Sequence, residues 1–247
     1  MNEILWPEFS ERPPQELGVK RRDVWQRMQA GLYLMATTGA SVVQELMAGL
    51  AERYSIQPNA DSLHRIFRIH LWRTGLIHYR VLPNAIRNGL AVVRLTDLGK
   101  AICSVWGWTV VPSDWDKLIE YHNGQEQLRH TAMVLDFAWQ ARRRGYRVVV
   151  MPIVQKMFIV PDVYVERDAT DKTYVEVERG RNKLEKWRNL YALQGFVAVC
   201  VATKARRKTI VEKEIQPLVI GGMATDLETL KNSDKSEKNQ QLWVDSW

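Results

Sequence analysis

Phe158-Ile159-Val160-Pro161-Asp162-Val163-Tyr164-Val165 and Thr173-Tyr174-Val175-Glu176-Val177-Glu178-Arg179 are the two stretches on which the reading of this chain turns. Both are rich in Val, Ile and Tyr, and the polar residues 167–172 lie between them, the pattern of two strands joined by a short loop. A hairpin symmetric about Ala169 sets Glu176 opposite Asp162, and directly opposed residues have Cβ atoms about 5 Å apart. Side chains alternate along a strand, so Glu178 shares the face of Glu176 while Val163, Val165, Val175 and Val177 turn the other way, into a core. Carboxylates this close repel. The repulsion is offset either by neighbouring Arg or Lys or by a hard divalent cation, which takes carboxylate oxygens at about 2.0 to 2.1 Å. A plainer arrangement pairs Glu176 and Glu178 with Arg179, Arg181 or Arg188 on a solvated sheet face.

Working outward, residues 125–144 carry Leu128, Ala132, Leu135 and Trp139 at helical spacing, and an apolar strand follows over 146–151. Beyond Gly180, residues 183–194 repeat the helical pattern with Leu184, Trp187, Tyr191 and Gln194, and 196–202 read as a buried strand. The order α, β, β, β, α, β, with Pro161-Asp162 and then Glu176-Val177-Glu178 on the hairpin, resembles the PD-(D/E)xK nuclease superfamily. The resemblance implies that Asp162 and Glu176 hold Mg²⁺ or Mn²⁺, with Glu178 as a further ligand or a base. The superfamily's usual Lys is replaced by Glu178. Where that Lys has moved to the following helix in other members, this chain offers Lys183 and Lys186.

The first hundred residues predict helices over 25–35, over 41–54 with Ser41 as N-cap, and over 59–74 opened by Asn59 or Asp61 and stopped by Gly75. Strands at 76–80 and 91–95 flank a turn with Pro83, Asn88 and Gly89, and Leu95-Thr96-Asp97-Leu98-Gly99-Lys100-Ala101 leads back into a helix. This order resembles a winged helix-turn-helix. The resemblance implies that the third helix enters the major groove, presenting Ser62, His64, Arg65, Arg68 and His70, while Arg80 and Arg87 sit in the wing. Leu63, Ile66, Phe67, Ile69 and Leu71 are expected in the core. His64 and His70 read equally as surface positions, and winged helices also serve as protein–protein modules.

Composition agrees with a double-stranded DNA partner. Lys and Arg number 35 against 28 Asp and Glu, a formal charge of +7. Clusters fall at Lys20-Arg21-Arg22, at Arg142-Arg143-Arg144 with Arg147, and over 204–208. Cys103 and Cys200 match no metal spacing and suit a reducing cytoplasm, and no apolar run is long enough for a membrane span. The expected organisation is α/β (α+β): an arm over 1–22, a winged helix-turn-helix over 23–105, a linker over 106–122, a nuclease-like domain over 123–220 and a polar tail over 221–247. Trp106, Trp108 and Trp115 are expected to pack the two domains against each other. Trp6 and Phe9 suggest that the arm lies on a domain or a partner, and Trp243 and Trp247 that the tail docks on this protein or another.

Together with Leu128-Arg129-His130-Thr131, these features resemble the replication-relaxation family of plasmids, phages and integrative elements, over about residues 25–202. The resemblance implies a role in replication, transfer or maintenance of mobile DNA. The expected activity is Mg²⁺-dependent DNA cleavage. The alternative is a non-catalytic DNA-binding regulator or assembly factor, and either leaves room for a homodimer.

Overall fold

Apolar side chains at helical spacing from Trp25 onward bury one face of each of three helices: α1 (Arg22–Thr38), α2 (Val43–Tyr54) and α3 (Asp61–Arg65), which runs on as a π-helical turn, Ile66–Leu71. The computed structural model describes residues 4–83, 89–122, 127–154, 160–179, 184–233 and 241–247. The chain is mixed α/β and forms two compact units, one of residues up to 82 with 90–120 and one from residue 121 on.

In the first unit Trp25, Met28, Leu32, Leu46, Leu50, Leu63, Phe67 and Leu71 form the core, as expected of the apolar face of α3, except that Ile69 is only half-buried. Gly31 admits the Phe67 ring, since a Cβ there would lie 3.3 Å from its edge. Gly75, at φ +71°, ends the third helix, and β1 (Ile77–Leu82) then pairs antiparallel with β2 (Leu90–Leu95), Ile77 facing Leu95. Thr96 turns the chain into α4 (Asp97–Val105): its hydroxyl accepts the Gly99 N–H at 3.0 Å and donates to the Gly75 carbonyl at 2.7 Å. Gly99 is required here, because a Cβ would sit 2.1 Å from the Leu76 carbonyl oxygen.

The expected caps of the second and third helices are not used. Ser41 is drawn into the sheet, its carbonyl accepting the Val93 N–H at 2.8 Å and its hydroxyl the Trp115 N–H at 3.0 Å, so α2 starts after Val42 with no side-chain cap. Ala60 occupies the cap position of α3, displacing both Asn59 and Asp61. The expected linker belongs to the first unit as far as Glu120 and carries α5 (Asp114–Tyr121). Trp106 packs edge-on to Trp25 and Trp108 edge-on to Tyr33, within the first unit. The arm lies on the same unit, with the Arg53 guanidinium 4.5 Å from the Trp6 ring and 4.7 Å from that of Phe9.

The second unit begins with α6 (Leu128–Arg143), β3 (Arg147–Val150), β4 (Val163–Glu166), β5 (Lys172–Glu178), α7 (Leu184–Gln194) and β6 (Val197–Val201), the order expected. The predicted opening of the hairpin, Phe158 and Ile159, lies outside the described residues, and regular pairing starts at Val163. The fold then continues through α8 (Lys204–Ile210), a π-helical turn (Val211–Ile215), β7 (Gly222–Asp226), α9 (Leu227–Asn232) and β8 (Asp245–Ser246). The sheet order is β3-β4-β5-β6-β7-β8, antiparallel as far as β5, parallel from β5 to β7, and antiparallel at β8.

The expected polar tail is thus corrected: residues from Gly222 on add strands to the sheet. Buried Arg207 holds them, its guanidinium 2.9 Å from both Asp226 and Asp245, while the Trp247 indole lies on the bare backbone of Gly222. Among the described residues no helix is long and apolar enough to cross a membrane.

Candidate functional site

The register of β4 and β5, Val163 facing Val175 through Glu166 facing Lys172, carries on by one residue to set Asp162 opposite Glu176. The Val177 N–H donates to Asp162 Oδ2 at 2.8 Å, which ties the carboxyl to the neighbouring strand. Val163, Val165, Val175 and Val177 fill the core side of this hairpin, as the alternation demanded. The acidic face is also buried, which disfavours the plainer alternative of a solvated one: Asp162, Glu176 and Glu178 are 5%, 1% and 8% exposed. A face alternating with a Val-lined core becomes buried in turn when helices cover both sides of the sheet, as happens around a partly parallel one.

The Lys186 ammonium stands among the three carboxylates. Lys186, in the first turns of α7, is ion-paired with Glu176 Oε2, and its Nζ lies 4.0 Å from Asp162 Oδ2 and 3.9 Å from Glu178 Oε2. The helix is anchored by buried Trp187 and Leu190, the latter one turn on from Lys186. Of the two lysines expected on this helix, Lys186 reaches the cluster; Lys183, like Arg181, lies outside the described residues. Glu176 Oε1 is buried and has no hydrogen-bond partner among the described residues.

On the far side of Asp162, Oδ1 lies 3.0 Å from His130 Nε2, on the first turn of α6. The His122 ring packs edge-on to His130 at 5.8 Å. Spacing along the chain does not point to His130 as a site residue, because nothing local reveals that the start of α6 abuts the end of β4.

The electrostatics follow from this geometry. Burial works to raise the Asp162 carboxyl, but the hydrogen bond and charge of His130, with the charge of Lys186, hold it down at about 2. Glu176 goes the other way, pushed well above the usual carboxylate range by burial and by the charge of Asp162. Burial would lower the Lys186 ammonium, yet Asp162 and Glu176 outweigh it and raise its pKa. The result is a buried acidic cluster built around the Lys186 amine. Among the described residues no group of three or more His, Cys, Asp and Glu side chains stands arranged to hold a metal ion, and the Lys186 amine occupies the common ground.

The residues expected to meet DNA lie in the first unit. Ser62, Arg65 and Arg68 are exposed along α3 and its π-helical turn, and Arg80 is exposed on β1. His64 is half-buried, its Nε2 3.5 Å from the Tyr79 hydroxyl, and His70 is also half-buried. Arg87 lies outside the described residues.

Set against protein-family models, curated proteins and solved structures, the chain matches none of them.

Proposed function

We propose that the first unit is a winged helix-turn-helix that binds duplex DNA and that the second is a nuclease-like domain of PD-(D/E)xK type, in a cytoplasmic protein of a mobile element resembling the replication-relaxation family. The observation that carries the reading is the convergence of Asp162, Glu176 and Glu178, all buried, on the Lys186 ammonium. Carboxylates gathered this closely out of water are costly unless positive charge matches them or a proton is taken up. The donor set, all carboxylate with an unpartnered oxygen on Glu176, suits a hard divalent ion such as Mg²⁺ or Mn²⁺. Asp162 and Glu176 would hold it, Glu178 would complete the set or act as base, and the Lys186 amine would turn outward to the scissile phosphate. Such an ion polarises the phosphoryl oxygen and lowers the pKa of bound water. Arg65 and Arg68 supply the exposed guanidinium groups that would grip the duplex.

The test is incubation of supercoiled plasmid with the protein and Mg²⁺ or Mn²⁺. Nicked or linear product is expected from wild type and none from Asp162→Asn. An intact plasmid in the presence of demonstrable duplex binding overturns the nuclease reading. The second reading, a non-catalytic DNA-binding regulator or assembly factor, is favoured by the closeness of the Lys186 amine to all three carboxylates, since it already serves as their counter-ion.

A further inference from the structure

The contact between His130 and Asp162 is not explained by packing. His130 sits where α6 meets the end of β4, with a side chain mostly withdrawn from solvent, and spends its Nε2 on Asp162 Oδ1 at 3.0 Å. The other oxygen of the same carboxyl is taken by the Val177 N–H at 2.8 Å. An ionised carboxylate only accepts, so Nε2 must carry the proton. The two donors come from different elements, the helix and the neighbouring strand, and approach the two oxygens separately. Together they fix the plane of the carboxyl group. Carboxylates that ligate metals are held in this manner by outer hydrogen bonds, whose loss typically weakens metal binding by 10 to 100-fold.

We infer that His130 is a positioning residue that orients the Asp162 carboxylate toward the space Lys186 occupies, presenting it to a divalent cation. The inference rests on the ion-binding reading given above. The His122 ring packs edge-on to that of His130 and limits the swing of the imidazole.

The experiment compares wild type, His130→Gln and His130→Leu by Mn²⁺ titration, following the metal-dependent shift in melting temperature, with metal-free melts alongside. Gln keeps an N–H donor at the same reach; Leu keeps bulk and loses the donor. His130→Leu is expected to need 10 to 100-fold more Mn²⁺ for the same shift, while His130→Gln stays close to wild type. Equal titrations for all three proteins, or equal losses for Gln and Leu, overturn the inference. If wild type itself shows no Mn²⁺ shift, the ion reading fails, and the positioning role is then decided by metal-free urea melts of His130→Leu, Asp162→Ala and the double variant. Non-additive effects uphold the orientation of Asp162 by His130, and additive ones overturn it.

Discussion

Lys186 sets its ammonium within 4.0 Å of an oxygen of each of Asp162, Glu176 and Glu178. Its replacement by Met keeps the aliphatic stem and removes the charge, leaving buried carboxylates without that counter-ion. Losing one partner of a buried ion pair costs about 3 to 5 kcal/mol. The loss is expected to be larger at pH 8 than at pH 5, since Glu176, whose pKa is already raised by burial and Asp162, can take a proton as the pH falls. Added Mn²⁺ should recover part of it if the ion reading is right, and urea melts at both pH values with and without Mn²⁺ check the two statements together.

In the first unit the sign is different. His64, His70 and His78 are each pushed below the usual imidazole pKa, first by burial and then by nearby guanidinium groups, Arg68, Arg65 and Arg94 in turn. The unfolded chain therefore takes up protons more readily than the folded one, so these groups subtract stability as the pH falls through about 6.5. A triple His→Gln variant is expected to lose less melting temperature than wild type between pH 7.5 and pH 5.

At the level of elements, β8 and the residues before it close one edge of the sheet. Leu242 is fully buried, Trp243 stacks near Phe137 with centroids 6.4 Å apart, Trp247 exchanges backbone hydrogen bonds with Gly222 at 3.1 Å, and Asp245 pairs with Arg207. Removing residues 242–247 would bare the β7 edge and take one of its two aspartate partners from Arg207. A loss of about 3 kcal/mol or more is expected, since burial of a single Leu is worth about 1.5 to 3 kcal/mol before the indoles are counted. Calorimetry of the shortened chain checks it, and an unchanged transition would mean that the strand is an ornament on the sheet. The π-helical turn in the third helix has the opposite character. Over it Ile66, Phe67 and Leu71 are buried while Arg65, just before it, and Arg68 stay exposed.

For the whole molecule the governing quantity is charge. A net +7, with Arg65 and Arg68 exposed together, makes the proposed duplex binding a matter of phosphate neutralisation. Affinity is expected to fall by about 10³-fold or more between 50 and 200 mM salt if around six phosphates are neutralised. The double variant Arg65→Ala, Arg68→Ala should bind more weakly and show a shallower salt dependence, by about one unit of slope for each phosphate that is no longer neutralised. Gel-shift titrations over that salt range measure both. Unchanged affinity in a variant that keeps its circular dichroism would assign the first unit to protein rather than DNA binding.

Period and turn chemistry along the chain determined a good deal unaided. Alternating Val residues around polar 167–172 settled the hairpin and its register, and with them the approach of Asp162 to Glu176. Helical spacing from Leu128 and from Leu184 located the two flanking helices, and the run from Leu95 to Ala101 led from strand into α4. These are local signals, each spelled by residues that touch neighbours in the chain. What tertiary structure alone decided is whatever depends on distant segments meeting. Ser41 abandons its helix for Trp115, His130 meets Asp162 across 32 positions, and Arg207 gathers Asp226 and Asp245 to turn a polar stretch into sheet. The burial of Glu176 belongs here too. Alternation placed its side chain on a face, but only the packing of the helices against the sheet could decide whether that face met water.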